Sequence, residues 1–312
     1  MLKGKRIVLT GCTGQVGGAF ADQLAPHNTI WGLARFTAPG SRERLDNAGV
    51  HTVKGDFTKQ DFGDIPDDID YVVHLAANTK PGVAEVGMTQ NAEGVGWMMH
   101  RFRNAKAFFM ASNNTLYLDN PDPLHKFVET DHVGGSSPHS PNYGPTKLAG
   151  EGVARFLSQL YGLPTIIARL NVSYGGPYDD GGYPGHLLDW VLEGRPIRMP
   201  KSRTLTMSPI HEDDMVRQLE PMLAAASVPA TIVNWGGAEP VEMEEMARYI
   251  GALVGKEPVF EYDDAGIFPN RITDTTRGRS IGMEWRVPWK EGIRRMIAAR
   301  RPDISIRSVV DN

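Results

Sequence analysis

A glycine-rich segment near the start of this 312-residue chain strongly limits the folds that the chain can adopt. The apolar run Ile7-Val8-Leu9 comes directly before Gly11, Gly14 and Gly17, and a helical pattern spans Val16 to Leu24. Glycine permits a tight turn between strand and helix and lets the backbone approach a phosphate, which the helix N-terminus then binds. The order of strand, glycine loop and helix therefore predicts a Rossmann unit that binds a dinucleotide.

Short apolar strands and helical stretches alternate over the first 170 residues. Further strands are predicted at 29–34, 50–53, 71–75, 107–110 and 165–170, and helices at about 84–103 and 145–161. This alternation predicts an α/β fold with a doubly wound parallel sheet and right-handed crossovers.

The character of the sequence changes after about residue 172. A stretch rich in glycine and proline runs from 174 to 185, and such a stretch is typical of a domain boundary. Helices are then predicted at 187–193, 212–225, 241–254 and 289–299. We expect a dinucleotide-binding Rossmann domain at 1–172 and a smaller, mainly substrate-binding α/β portion at 173–312.

Composition argues against several classes of protein. A net charge of −4 without a basic run argues against a nucleic-acid partner. No apolar run approaches the roughly 18 residues of a membrane helix, so no membrane partner is expected. Cys12 is the single cysteine, which cannot form an internal disulfide, and the first residues do not resemble a signal peptide. These features favour a cytoplasmic location.

The end of the second predicted strand bears on which dinucleotide binds. An acidic residue there would bind the ribose 2′-hydroxyl of NAD(H), but the run Gly32-Leu33-Ala34-Arg35-Phe36 contains no carboxylate. Arg35 is suited to pair with a 2′-phosphate, which favours NADP(H) and leaves NAD(H) possible. The alternative is a solvated loop arginine. Asp56, after the third strand, is expected near the adenine.

Tyr143 and Lys147 form the second informative motif. Four residues apart at the start of a predicted helix, they share one face. A free tyrosine, with a pKa near 10, is a poor acid–base at neutral pH, and a neighbouring ammonium is expected to lower that pKa. The pair predicts proton transfer to or from the oxygen of a carbon that exchanges hydride. Lys147 is also expected to hold the nicotinamide ribose.

With these motifs the chain resembles the extended short-chain dehydrogenase/reductase family, which includes the NAD-dependent epimerase/dehydratases. The resemblance covers nearly the whole length. It extends to His74-Leu75-Ala76-Ala77, Asn91, Arg169-Leu170, Tyr174-Gly175 and Ile210-His211-Glu212-Asp213-Asp214.

The resemblance implies a role for several of the matching residues. Tyr143 becomes the acid–base, Lys147 its partner, and Asn91 a support for hydrogen bonds in the site. A homodimer, paired through the Asn91 and Tyr143 helices, is also implied. The expected cofactor-binding residues are Gly11, Thr13, Gly14, Gln15, Val16, Gly17, Arg35, Asp56, Phe57, Leu75, Ala76, Ala77, Tyr143, Lys147 and Leu170.

Two departures from the family pattern concern the substrate. Asn113 stands where the family usually has a serine or threonine, so either Asn113 or its neighbour Ser112 is expected to steady the substrate oxygen. Met207 stands where nucleotide-sugar enzymes carry an arginine for the phosphates. Arg203 and Lys201 are nearby replacements. A UDP- or GDP-sugar is therefore less favoured than a smaller compound.

These patterns lead to one hypothesis and two alternatives. The leading hypothesis is an NADP(H)-dependent oxidoreductase that acts on a small carbonyl/alcohol substrate. The alternatives are a nucleotide-sugar epimerase or dehydratase that recycles its NAD(P), and a non-catalytic, cofactor-sensing binding protein. No metal is expected, because the His211-to-Asp214 cluster lacks zinc spacing and its carboxylates suit a helix start.

Overall fold

Seven parallel strands form the central sheet of this computed structural model, which describes residues 2–178 and 181–309. Strands of the described residues, including those outside the central sheet, are β1 (Arg6–Thr10), β2 (Thr29–Ala34), β3 (His51–Lys54), β4 (Tyr71–His74), β5 (Ala107–Asn113), β6 (Lys126–Phe127), β7 (Thr165–Leu170), β8 (Ser173–Tyr174), β9 (Ile197–Met199), β10 (Thr206–Met207), β11 (Ile210–His211), β12 (Thr231–Trp235), β13 (Val241–Glu242), β14 (Phe260–Tyr262) and β15 (Ile272–Thr273). The sheet order is β12-β7-β5-β4-β1-β2-β3. All six neighbouring pairs are parallel, which confirms the predicted doubly wound sheet.

Helices alternate with the strands, as predicted. They are α1 (Gln15–Leu24), α2 (Ser41–Asn47), α3 (Ala84–Met88), α4 (Gly94–Arg101), α5 (Tyr143–Tyr161), α6 (Gly182–Glu193), α7 (Glu212–Ala224), α8 (Met243–Val254), α9 (Thr276–Ser280) and α10 (Trp289–Arg300). A π-helical turn, Thr89–Glu93, joins α3 to α4, so the chain is helical throughout 84–101. Single 3-10 turns occupy Ala25–His27, Phe57–Lys59 and Asn114–Leu116.

The central sheet is covered by helices on both faces. Alternation along β1 sends Ile7 and Leu9 into a core with α1 and α7, and sends Val8 into a core with α4 and α5. Trp235 of β12 anchors the first core, where its ring contacts Phe109 edge-on at a centroid distance of 5.3 Å. Burial on both faces explains why the strands read as continuous apolar runs.

Helix α5 positions the predicted acid–base pair. Its buried stripe includes Lys147, Glu151, Ala154 and Ser158, at the spacing of one helical face. The helix ends at Gly162, whose φ of +62° is the left-handed conformation that glycine accepts at a helix C-terminus. Tyr143 begins the helix, and Lys147, one turn later, contacts Ala111 near the carboxyl end of β5.

The second portion has its own core, built by α6, α8 and α10 with buried residues such as Leu187, Met246 and Ile293. Its strand β12 pairs with β7, so the central sheet takes strands from both sides of residue 172. Helix α7 likewise comes from the chain after residue 172 and packs on α1. No helix in the described parts of the chain is long and apolar enough to cross a membrane.

Candidate active site

The carboxyl ends of the central strands bring the predicted site residues together. Thr10 ends β1, His74 ends β4, Asn113 ends β5 and Leu170 ends β7. Neighbouring strands are in register there, with Asn113 opposite Leu170 and Thr10 opposite His74. Ligands of open α/β sheets bind at this edge, so the topology places the candidate site.

The glycine loop is packed so closely that two of its positions exclude a side chain. A Cβ at Gly17 would lie 2.1 Å from the carbonyl oxygen of Gly11. Gly11 has a φ of +72°, and a Cβ there would lie 2.8 Å from the backbone nitrogen of Ala76. The loop therefore lies directly against the end of β4, where the resemblance places the cofactor.

The start of α1 is suited to hold a pyrophosphate. Gly14 is the N-cap residue, no side chain caps the helix and no acidic residue lies in its first turn. The first N–H groups of an uncapped helix attract an anion, so these residues fit a dinucleotide. Thr13 is exposed beside them and Val16 packs on the core. The side-chain amide of Gln15 donates to the carbonyl of Ser173 at 3.1 Å, which ties the loop to β8.

The predicted adenosine-side residues lie at the ends of β2 and β3. Arg35 is exposed directly after β2. Asp56 is engaged in its own turn, since its Oδ1 accepts from the backbone nitrogen and the hydroxyl of Thr58 at 3.1 and 2.6 Å. The ring of Phe57 lies edge-on to His74 with centroids 5.3 Å apart. Phe57 therefore packs against the end of β4, and Asp56 stabilises the turn that contains it.

The end of β4 is held by a buried hydroxyl. The backbone nitrogen of Ala76 donates to Thr10 Oγ1 at 3.2 Å, and Thr10 Oγ1 lies 2.9 Å from His74 Nδ1. Burial lowers the His74 pKa to about 3, so the ring is neutral and its hydrogen bond with Thr10 joins two uncharged groups. Leu75 and Ala76 are half-buried and Ala77 is exposed, so this segment lines the open edge of the sheet.

Tyr143 and Lys147 lie on the first turns of α5, and the Lys147 side chain reaches β5. Lys147 is 1% exposed, and its Nζ donates to the carbonyl of Ala111 at 2.6 Å. Burial lowers the Lys147 pKa to about 8. The expectation of a lowered pKa for Tyr143 is wrong in this structure, because loss of water contact raises the pKa of the phenol well above its usual value. The phenol of Tyr143 therefore keeps its proton at pH 7.

The structure separates Ser112 and Asn113, the two residues expected to steady the substrate oxygen. Ser112 is 2% exposed, and its hydroxyl donates to Glu151 Oε1 at 2.6 Å, so it is engaged inside the protein. Asn113 is half-buried, and its Oδ1 accepts from the backbone nitrogen of Thr115 at 2.7 Å. That bond orients the side chain and leaves its Nδ2 as a donor, so Asn113 is the better placed of the two to contact a substrate oxygen.

Asn91 connects two walls of the site. Its Nδ2 donates to the carbonyl of Asn78 at 3.0 Å and to Thr146 Oγ1 at 3.1 Å, and its Oδ1 accepts from the nitrogen of Asn78 at 2.8 Å. Asn91 is 1% exposed and sits in the π-helical turn. It therefore fastens the segment after β4 to α5, beside Tyr143.

Two buried charges were not assigned a role from the sequence. Glu151 lies one turn beyond Lys147, and Arg169 of β7 binds both of its oxygens. The spacing of 143, 147 and 151 along one helix face is the signal that points to Glu151. Nothing local in the sequence indicates that Arg169 is its partner.

A cavity of about 520 Å³ adjoins the site. Its lining includes Ser136, whose Cα would lie 3.4 Å from a Cβ at Gly144, the residue after Tyr143. Other lining residues are Asp119, Asn120, Asp122, Phe127, Arg203, Asn270 and Arg271. The wall combines these guanidinium, amide and carboxylate groups with apolar side chains, among them Ile267 and several prolines.

The arginines of this cavity already have protein partners. Arg203 donates to Asn270 Oδ1 and to the carbonyls of Thr204 and Phe268, at 2.6 to 3.1 Å. Arg271 pairs with Asp119 at 2.8 Å. Met207 is 5% exposed within β10, and its thioether carries no charge.

The His211 cluster serves the start of α7. His211 is the N-cap residue, and its Nδ1 accepts from the nitrogen of Asp213 at 3.1 Å, with three carboxylates in the first turn. This confirms the interpretation as a helix start. Among the residues described, no group of three or more histidine, cysteine, aspartate or glutamate side chains is arranged to hold a metal ion.

Comparisons with known proteins agree with this geometry. The structure is similar to a UDP-glucuronic acid 4-epimerase from Bacillus cereus in complex with UDP-glucuronic acid and NAD, with a TM-score of 0.82 and 20% identity over 95% of this chain and 99% of that one. A Thermus thermophilus UDP-glucose 4-epimerase in complex with NAD has a TM-score of 0.81 and 22% identity over 96% and 100% of the two chains.

Sequence comparisons point the same way. A protein of Bacillus subtilis named as an uncharacterized UDP-glucose epimerase, YtcB, is 24% identical over 88% of this chain and 91% of its own. The uronate dehydrogenase of Pseudomonas putida is 24% identical over 55% of this chain and 62% of its own. The family model described as "NAD dependent epimerase/dehydratase family" matches residues 7–236. The chain belongs to this family of enzymes, the epimerase/dehydratase group of the extended short-chain dehydrogenases/reductases.

Proposed function

We propose that this protein is an NADP(H)-dependent oxidoreductase that moves a hydride between nicotinamide and a small carbonyl/alcohol substrate. The observation that carries the proposal is the placement of Tyr143 and Lys147 on the first turns of α5, where Lys147 reaches β5, the strand that ends at Asn113, and where a cavity lined by charged and amide groups lies nearby. In this view residues 1–172 bind the dinucleotide and residues 173–312 mainly bind the substrate.

The side chains of the site would manage the proton. A bound nicotinamide dinucleotide supplies or accepts the hydride. In the direction of reduction, Tyr143 gives its phenolic proton to the substrate oxygen and is later reprotonated from solvent. The neighbouring Lys147 ammonium stabilises the phenolate that remains. Asn113 Nδ2 donates to the same oxygen and stabilises the charge that develops there.

A substrate without a nucleotide is favoured by the surroundings of the cavity. Met207 carries no charge, and Arg203 and Arg271 are engaged with protein acceptors. A pyrophosphate would compete with these protein acceptors for the two guanidinium groups. One relative is named a uronate dehydrogenase, so sugar acids and other polar carbonyl compounds belong in the first substrate panel.

The preference for NADP(H) rests on Arg35. The end of β2 presents this exposed guanidinium where a carboxylate would favour NAD(H). The structural relatives described above are complexes with NAD, so NAD(H) is the alternative. Parallel titrations with the two cofactors distinguish them.

A second candidate function is epimerisation or dehydration of a nucleotide sugar with internal recycling of the cofactor. The similar proteins described above favour it, because three of them are named as UDP-sugar epimerases. It requires the same Tyr143 chemistry but no net change in nicotinamide absorbance. The two functions are therefore separated by one kind of measurement.

The test follows NADPH and NADH absorbance with carbonyl compounds, sugar acids and sugar nucleotides. Net cofactor consumption with a non-nucleotide compound is expected, and Tyr143→Phe should abolish it without loss of cofactor binding. Tyr161→Phe, at the far end of α5, is the matched control. Conversion of a sugar nucleotide at constant absorbance would transfer the assignment to the second candidate, and near-normal turnover by Tyr143→Phe would refute the mechanism in both cases.

We extend the proposal to a cytoplasmic homodimer paired through α4 and α5. These helices pack on each other, and they expose Trp97, Phe156 and Leu160 by 37%, 64% and 60%. Large apolar side chains exposed on adjacent helices are typical of an interface. Val259, exposed by 46% in another part of the chain, offers a control position for substitutions that test this contact.

A further inference from the structure

A buried ion pair lies directly behind the acid–base pair. Glu151 of α5 accepts from Arg169 Nε at 3.0 Å through Oε1 and from Arg169 Nη2 at 2.8 Å through Oε2. The two side chains are only 3% and 5% exposed. This is the two-pronged geometry that gives guanidinium–carboxylate pairs their strength and direction.

Arg169 is itself held from its other side. Its Nη1 donates to the hydroxyl of Tyr117 and to the carbonyl of Glu129, both at 3.0 Å. The guanidinium carbon lies 4.9 Å from the centre of the Tyr117 ring. The tyrosine hydroxyl in turn donates to Asn234 Oδ1 at 2.7 Å. Arg169 is therefore fixed in place independently of Glu151.

Lys147 lies one helical turn before Glu151, at the spacing at which a lysine and a glutamate commonly pair. In this structure the Lys147 ammonium donates to Ala111 instead, because Arg169 takes both carboxylate oxygens and Ser112 adds a third bond to Oε1. Two buried cations thus lie near one carboxylate, and of these two only Arg169 is hydrogen-bonded to it.

We propose that Arg169 is a positioning residue of the active site, which holds Glu151 away from Lys147 so that the lysine ammonium acts on Tyr143. The proposal rests on the function assigned above to Tyr143 and Lys147. Without Arg169, the glutamate would be left with a buried charge and one neighbouring cation. It would then be expected to pair with Lys147 and draw the ammonium away from the phenol.

The groups around Lys147 define the expected shifts. Glu151 on its own helix and His74 on β4 interact with Lys147, and His74 is neutral as described above. Arg169 on β7 binds Glu151, and Tyr143 lies one turn before Lys147 on the helix. Burial lowers the Lys147 pKa to about 8, and the Glu151 carboxylate opposes that shift. Arg169→Met should therefore raise the Lys147 pKa by about one unit, and Glu151→Gln should lower it by a similar amount. Structural loosening would instead move both variants upward, toward the usual value of about 10.4.

The test is a pH titration of the lysine side-chain signals by NMR, on the full chain without substrate, with Lys147 assigned by its loss in Lys147→Met. Opposite shifts in Arg169→Met and Glu151→Gln are expected, while Arg155→Met, an exposed substitution on the same helix, should leave the pKa unchanged. Unchanged values, or a rise in both variants, would overturn the proposal.

A milder variant keeps the test decisive if Arg169→Met does not fold. In Arg169→Lys a single ammonium replaces the planar fork and releases part of the carboxylate, so a smaller rise in the Lys147 pKa is expected. Absence of that rise would overturn the proposal. The titration does not require turnover, so an inactive protein would contradict the proposed function and leave this result standing.

Discussion

The contact between Gly17 and Gly11 allows a substitution to be predicted in magnitude. In Gly17→Ala the new methyl would start 2.1 Å from the Gly11 oxygen, whereas ordinary contact begins near 3.4 Å, so the loop has to move by about 1.3 Å. Such overpacking costs roughly 1–3 kcal/mol, and the higher helix propensity of alanine returns about 1 kcal/mol. The expected net loss in the free energy of unfolding is about 0–2 kcal/mol, measured by urea denaturation.

The matched control is Gly152→Ala in α5, where a Cβ would meet no heavy atom within 4 Å. The same change of residue in a helix should there stabilise the protein by about 0.5–1 kcal/mol. The difference between the two variants isolates the steric cost at the glycine loop. Equal stability of Gly17→Ala and Gly152→Ala would refute the close contact on which the argument rests.

A third variant separates packing from cofactor binding. At Gly14 a Cβ would lie 3.6 Å from its nearest neighbour, the Gly11 oxygen, and the φ of −91° suits any residue. Gly14→Ala should therefore change stability by less than about 0.5 kcal/mol. If the loop cradles a pyrophosphate, the methyl obstructs its approach and the dinucleotide affinity falls by about tenfold or more, which is about 1.4 kcal/mol. Unchanged affinity by calorimetric titration would refute this role for the loop.

Four further predictions concern other parts of the molecule. Arg35→Ala should weaken NADPH binding about tenfold or more and spare NADH, in contrast to Arg155→Ala, and equal losses would remove Arg35 from the phosphate. Phe156→Asp should convert a dimer to monomers in sedimentation experiments, and a monomeric wild type would contradict the interface. Because the His74 pKa falls from about 6.5 to about 3 on folding, the unfolded chain binds more protons between those pH values, so stability decreases as the pH drops, by up to ~1.4 kcal/mol per pH unit. Urea unfolding of His74→Gln at pH 7 and 5 should show a weaker dependence. Cys12, buried and with its pKa raised to about 12, should react with thiol reagents only after unfolding, and rapid modification of the native protein would contradict its burial.

Local patterns were enough to predict the sheet and the two motifs. Apolar runs, glycine spacing and the four-residue step from Tyr143 to Lys147 reflect strand burial, turn geometry and helix periodicity, which act within a few residues. The helical stretch from 84 to 101 was predicted for the same reason, although its π-helical turn around Asn91 was not. That turn is accompanied by contacts with Asn78 and Thr146, which lie 13 and 55 residues away.

The sequence by itself determined the order of strands and helices, the glycine loop between β1 and α1 and the shared helix face of Tyr143 and Lys147, because each depends on neighbours along the chain. Only the tertiary structure decided that Ser112 faces α5 while Asn113 caps the following turn, since consecutive strand residues point to opposite faces. It also decided that burial raises the pKa of Tyr143 and that Arg169 binds Glu151. Loss of water contact and the approach of a charge from another strand depend on packing across the whole sheet, which residue spacing along one helix does not encode.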